Sequence, residues 1–278
     1  MFPSVTPLFE FYYRITEREL QQPTQPINKM RNYSKLIGAL AAVSALAAGN
    51  ASAIDLNYNL HAGYTSEYIF RGVNLGNDLV EAGFDASAEV GAGLTVSAGV
   101  WYANFDSTTI FGTEANQNEI DLYAKVSKDL GFATASVGYI YYYNDNSNDI
   151  RDFFFGKQDD AQEVSFGLAR EFYGVNVGLT YYWDIVLDND GYAELTASKS
   201  FELNSCLTLN VGAALGYLVE EGHLAHLTTK VSLDYEFVEN ARLSPFIAGA
   251  VDLSGGHGNA YAAAKNELVG GAMIGVDF

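Results

Sequence analysis

The chain has 278 residues, 49% of them hydrophobic and 14% aromatic, with a formal net charge of −19 at pH 7. So acidic a balance argues against nucleic acid as a partner, and the abundance of Tyr, Phe, Val and Leu argues against disorder. A lone Cys206 excludes an intramolecular disulfide, and the four histidines are scattered without metal-binding spacing.

Met30, Arg31 and Lys35 precede an apolar, small-residue run over 36–48, and Ala51-Ser52-Ala53 fits the A-x-A pattern of a secretory signal, so cleavage is expected after Ala53. The run of 13 residues falls short of the ~20 that a spanning helix needs, which makes it an export signal and not an anchor. Residues 1–29 either lie upstream of a true start at Met30 or form a long n-region, and add nothing to the fold in either case. The expected mature chain, 54–278, keeps ten Lys/Arg after losing five and 31 acids after losing three, a net charge of −21. No cysteine stands at the cleavage point to take a lipid.

Twelve segments of alternating polarity follow, and their apolar faces are expected to meet lipid. Strand one presents Leu56, Tyr58, Leu60, Ala62 and Tyr64; strand two Val80, Ala82, Phe84, Ala86, Ala88 and Val90; strand three Leu94, Val96, Ala98, Val100 and Tyr102. Strand four presents Ile120, Leu122, Ala124 and Val126, and strand five Ala133, Ala135, Val137, Tyr139 and Tyr141. Strand six has Val164, Phe166 and Leu168, strand seven Val175 through Ile185 at every second position, and strand eight, the weakest, Ala193, Leu195 and Ala197. Strand nine runs on the odd positions from Leu207 to Tyr217, strand ten from Leu227 to Tyr235, strand eleven from Leu243 to Val251. Strand twelve alternates Leu268, Gly270, Ala272, Ile274, Val276 and Phe278, and this terminal aromatic is read as the signal for the bacterial barrel-assembly machinery.

Long connections at 67–77, 106–118, 144–161 and 254–266 alternate almost throughout with short ones at 91–93, 128–131, 170–174, 202–205 and 238–241, the exceptions on the long side being the polar 188–191 and the intermediate 218–225. Long external loops and short periplasmic turns give this rhythm, which a soluble sandwich has no reason to show. The expected fold is all-β: a transmembrane antiparallel up-and-down barrel of about 12 strands, with both ends of the mature chain in the periplasm. Tyr64, Tyr68, Phe70, Tyr102, Tyr141, Tyr143, Trp183 and Tyr217 would form an outer aromatic girdle, and Tyr58, Phe132, Phe172, Tyr235 and Phe278 an inner one.

The same registers point Glu81, Asp85, Glu89, Asp121, Glu163, Asp184, Glu194, Asp234, Glu236, Asp252 and Asp277 inward, against Lys125 and Lys230. Charges are costly against lipid and cheap in a hydrated lumen, so a water-filled interior follows. Asp85, Lys125, Glu194 and Lys230, at mid-depth, are the candidates for selectivity, and the excess of acids predicts a preference for cations. Trp101, Tyr123, Tyr142, Tyr182 and Phe246 also face in, where they line, narrow or fill the lumen. Inward His61 and His226 are read as lining residues; His223 and His257 fall in loops. The acids of 144–161 lack the ligand spacing and glycine of a calcium loop and read as a solvated loop. No cofactor is expected.

The most specific local motif is Thr65-Ser66-Glu67-Tyr68-Ile69-Phe70-Arg71-Gly72. It resembles the amino-terminal signature of the TorF-type porins of proteobacteria, a Ser-acid-Tyr-x-Phe-Arg-Gly stretch after the first strand. That resemblance implies an outer-membrane pore of unsettled substrate and carries over no catalytic residue. Strand parity places Glu67 and Arg71 inward at a spacing that lets them pair at the pore mouth, as a structural ion pair or a constriction, with Tyr68 and Phe70 at the membrane interface. Taken together, the sequence predicts a passive channel for small hydrophilic solutes in the bacterial outer membrane. The alternatives are a plugged structural, ligand-binding or adhesin barrel and, more remotely, a barrel hydrolase.

Overall fold

Period-two alternation produces strands because successive side chains leave opposite faces of an extended chain, so one face meets lipid and the other the interior. The computed structural model describes residues 56–108, 114–145, 161–186, 191–255 and 266–278. The expected signal segment, the acidic stretch 146–160 and His257 lie outside them. The strands are β1 Leu56–Phe70, β2 Val73–Gly91, β3 Leu94–Thr108, β4 Glu114–Asp129, β5 Thr134–Asp145, β6 Ala161–Phe172, β7 Val175–Asp184, β8 Tyr192–Asn204, β9 Leu207–Leu218, β10 His223–Val238, β11 Ala241–Asp252 and β12 Glu267–Asp277. Among the described residues these twelve are the strands and no helix occurs.

Each strand pairs antiparallel with its sequence neighbours, and β12 closes the ring on β1, from Asn59↔Asp277 to Thr65↔Gly271. Phe278 completes this seam: its N–H donates to Tyr58 O at 2.9 Å and its carbonyl accepts from Tyr58 N at 3.2 Å. Closure leaves no unpaired edge, which a sheet in lipid cannot tolerate. The exterior is an apolar belt that includes exposed Leu60, Val80, Val137, Leu179 and Ile247. Exposed Phe132, Phe172, Tyr235 and Phe278 rim one end, here termed the inner end, and exposed Tyr64, Tyr102, Trp183 and Tyr217 rim the other, the outer end. Tyr141 and Tyr143 depart from the expected outer girdle, being 8% and 1% exposed.

The main departure lies at the start of the chain. Residues 67–77, expected as a long linker, continue the β1–β2 ladder through Glu67↔Asn77 and Tyr68↔Gly76 to Phe70↔Val73. The connection is the pair Arg71-Gly72, with φ of 48° and 80°. Positive φ at both central residues is the two-residue type I′ arrangement that suits the twist of a hairpin. The β1–β12 pairing stops at Thr65, with Ser66 Oγ accepting from Gly270 N at 3.2 Å, and the β2–β3 pairing ends at Asn77↔Asp106. Irregularities between Tyr68 and Ile69 and between Asn77 and Val80, the latter spanning Asp78 at φ 52°, bend the freed tip. It folds into the lumen.

Candidate functional site

Where the hairpin tip lands is set by its aromatic face. Tyr68 is 8% exposed and packs on the inward face of β3, with ring centroids 5.0 Å from Phe105 and 5.7 Å from Trp101 and with Ala103 fully buried in the same cluster. Phe70 meets inward Tyr142 of β5 edge-on at 6.0 Å. Both residues were expected at the membrane interface. They lie inside instead, because the strand leaves the wall beyond Thr65 and its formerly outward face turns over the lumen.

Arg71 then reaches the wall diametrically across from β1. Its guanidinium donates to both oxygens of Glu163 on β6, at 2.7 Å each, and Tyr142 Oη donates to Glu163 Oε2 at 3.0 Å. The guanidinium carbon stands 4.8, 4.7 and 4.4 Å from the ring centroids of Phe70, Tyr182 and Tyr192. Side chains of the pair are 9% and 7% exposed. A buried fork of this kind is held by charge-assisted bonds, and removing one partner from such a pair costs about 3–5 kcal/mol. Gly72 lies against His226 of β10 so closely that a Cβ there would fall 2.5 Å from His226 Cγ.

The expected Glu67–Arg71 pair is therefore replaced. The turn reverses the chain at Arg71 and ends strand parity at Phe70, so Arg71 projects ahead of the hairpin while Glu67 stays on its flank and accepts from Asn74 Nδ2 at 3.1 Å.

Around Arg71 the outer half of the lumen is acidic. Glu119, Asp121, Glu163 and Asp184 are all buried, and Asp121 Oδ1 has no hydrogen-bond partner among the described residues. Glu81 accepts from Trp101 Nε1 at 2.7 Å and Glu194 from Tyr192 Oη at 2.9 Å. The Tyr192 hydroxyl also bonds His226 Nε2 at 2.8 Å, while His226 Nδ1 bonds Thr228 Oγ1 at 3.0 Å.

The inner half is open and mixed in charge. A cavity of about 510 Å³ is lined by Asn59, His61, Asn210, Lys230, Asp234 and Arg242, among others. Lys230 Nζ sits 4.0 Å over the Phe246 ring, and Asn210 Nδ2 donates to Asp234 at 2.9 Å. Asp85 accepts from Tyr123 Oη at 2.6 Å and lies 3.5 Å from His61 Nδ1. Lys125 is exposed, paired across the ladders with Ser97 and Gly138. Asp277 accepts from Asn59 Nδ2 at 2.6 Å and pairs with Arg242.

Of the residues singled out from sequence, Arg71, Asp121 and Glu194 thus belong to the outer acidic half; Asp85, Lys125 and Lys230 lie below it. Sequence reasoning missed Glu119, Tyr192 and Arg242. For Arg242 the signal was present: outward Leu243 and Pro245 make Arg242 inward, a third cation beside the two lysines.

No curated protein matches the sequence. Among solved structures, an outer membrane channel from Pseudomonas putida F1 aligns at a TM-score of 0.51 and 9% identity, covering 82% of this chain and 97% of that one. At that identity the likeness establishes the barrel fold alone. NanC porin aligns at a TM-score of 0.45 with 14% identity over 80% of this chain and 98% of its own. Outer membrane phospholipase A from Escherichia coli aligns at 0.44 with 14% identity, over 82% and 93%. A bacterial family described as of unknown function, Gcw_chp, matches residues 47–236, and the chain belongs to that family.

Proposed function

We propose that this protein is a porin-like passive channel of the bacterial outer membrane for small hydrophilic solutes, with a preference for cations. The observation that carries the reading is the polar lumen: a 510 Å³ inner cavity under an outer half lined by Glu81, Glu119, Asp121, Glu163, Asp184 and Glu194. Carboxylates inside a low-dielectric wall enrich cations over anions in the water between them. The resemblance of residues 65–72 to TorF-type porins supports the same reading. Export through the amino-terminal signal and insertion by the barrel-assembly machinery, with Phe278 as its recognition point, belong to this proposal.

The hairpin across the lumen favours a second reading, a plugged structural or ligand-binding barrel. A hydrolase draws less support, since the described hydrogen-bond partners of the His61 and His226 rings are Asn59, Tyr192 and Thr228, with no serine among them.

The test is the reversal potential of the refolded protein in a planar bilayer under a potassium chloride gradient. Potassium should be favoured over chloride, and Asp85→Asn with Glu194→Gln should weaken that preference more than Glu81→Gln with Asp252→Asn. Anion selectivity would contradict the lumen assignment of these carboxylates. Absence of conductance would decide for the plugged barrel.

A further inference from the structure

Arg71 is a side chain of this protein, yet its surroundings have the make-up of a receptor for a soluble cation. A planar guanidinium is recognised best by a carboxylate that takes two parallel N–H bonds and by aromatic faces that attract its charge. The far wall supplies both: Glu163 with two 2.7 Å bonds, steadied by Tyr142 Oη at 3.0 Å, and the rings of Tyr182 and Tyr192 at 4.7 and 4.4 Å. All of these belong to β5 through β8, on the fixed wall. Only Arg71 and Phe70 come from the hairpin tip. Beside them, buried Asp121 keeps one carboxylate oxygen without a partner among the described residues, so the wall has acceptor capacity beyond what Arg71 takes up.

Besides Arg71, the tip is tied to the wall by Tyr68 in its cluster on β3, by Phe70 against Tyr142 and by Gly72 against His226, contacts made without charge. From Glu67 to Gly76 the backbone ladder pairs only within its own hairpin, and Arg71 sits at φ 48°, a left-handed conformation that costs an arginine free energy and that the contacts of its head group offset. A solute bearing the same group competes with Arg71 for the same carboxylate fork and aromatic faces, at a concentration set by how firmly these contacts hold the tip.

We infer that Glu163, Tyr142, Tyr182 and Tyr192 form a recognition site for guanidinium-bearing organic cations in the outer half of the lumen, which Arg71 occupies as an internal ligand until such a solute displaces it. The site deepens the channel reading and rests on it for its biological sense, since the bound cation would be one on its way inward. Displacement moves no covalent bond. The incoming guanidinium takes the two Glu163 oxygens, and the Arg71 head group leaves with the hairpin tip toward solvent.

The experiment is a calorimetric titration of the full barrel in detergent micelles with methylguanidinium, using methylammonium as the control cation. Arg71→Ala should bind methylguanidinium at least ten-fold more tightly than the unmodified protein does, and at least ten-fold more tightly than it binds methylammonium, which cannot form the fork. Arg71→Ala with Glu163→Gln should lose that binding. Equal affinity of the unmodified and Arg71→Ala proteins, or equal affinity for the two cations, would overturn the proposal.

If Arg71→Ala does not fold, the unmodified protein decides. Millimolar methylguanidinium should speed amide exchange in residues 66–77 several-fold while methylammonium does not, and unchanged exchange would overturn the inference. Neither readout needs current. Binding without conductance would fault the channel reading and leave the site standing, and conductance without binding would do the reverse.

Discussion

Gly72→Ala isolates the seating of the hairpin tip from its charge. The residue has φ 80°, and an added Cβ would lie 2.5 Å from His226 Cγ and nearer still to His226 Cβ. His226 does not give way easily, being 2% exposed with both ring nitrogens hydrogen-bonded. A left-handed alanine costs about 1–2 kcal/mol, and an overpacked methyl in a rigid site about 1–3 kcal/mol. Together they raise the free energy of the seated tip by about 2–5 kcal/mol, which increases the fraction unseated ~30- to ~5000-fold if the barrel wall is unaffected.

The assay is amide exchange in lipid nanodiscs. Residues 66–77 should exchange faster by that factor while β8 to β10 keep their protection, because local opening and global stability are separate quantities. Gly174→Ala is the control. It also sits at positive φ, 73°, but its Cβ would meet only the flexible end of Lys199 at 3.6 Å, in the turn between β6 and β7. It bears the backbone cost far from the tip. Wild-type exchange of residues 66–77 in Gly72→Ala, or equal acceleration in Gly174→Ala, would refute the claim that Gly72 is packed against the far wall.

Phe278→Ser should lower the folded, heat-modifiable fraction in the outer membrane without blocking export, because it removes an exposed aromatic from the inner rim at the β1–β12 seam; unchanged assembly on gel analysis would count against that role. Protease added to intact cells should cut within 146–160 and spare residues 130–133 and 239–240, and cleavage confined to the latter would invert the orientation. Arg242→Met should change stability by no more than about 0.5 kcal/mol, since the pair with Asp277 is solvent-exposed, yet raise potassium preference by freeing a carboxylate at the inner mouth; thermal melts and reversal potentials measure the two effects.

Most of the wall was legible because a barrel strand reports its two environments at every second residue. Even the weakest segment, with only Ala193, Leu195 and Ala197 to mark it, forms the 13-residue strand β8, since its neighbours fix the register on both sides. Residues 67–77 were misread for a physical reason. Their polar and glycine content, Asn74, Gly76 and Asn77, is what a loop shows, and a hairpin folded inside the lumen has no lipid face to announce it. Arg71-Gly72 between Tyr68-Ile69-Phe70 and Val73-Asn74-Leu75 was the available turn signal. Parity located Glu163, Tyr142 and Tyr182 on the inward face, but no pattern along the chain could place Arg71 beside them, 92 residues from Glu163. That contact depends on where β1 leaves the wall.

The most direct test of a solute path narrowed by this hairpin is single-channel recording of the unmodified barrel beside a variant in which residues 66–77 are replaced by a two-residue turn. A small, cation-selective conductance is expected in the first and a larger, steadier one in the second. Equal conductance in both would contradict the constriction, and silence in both would contradict the channel.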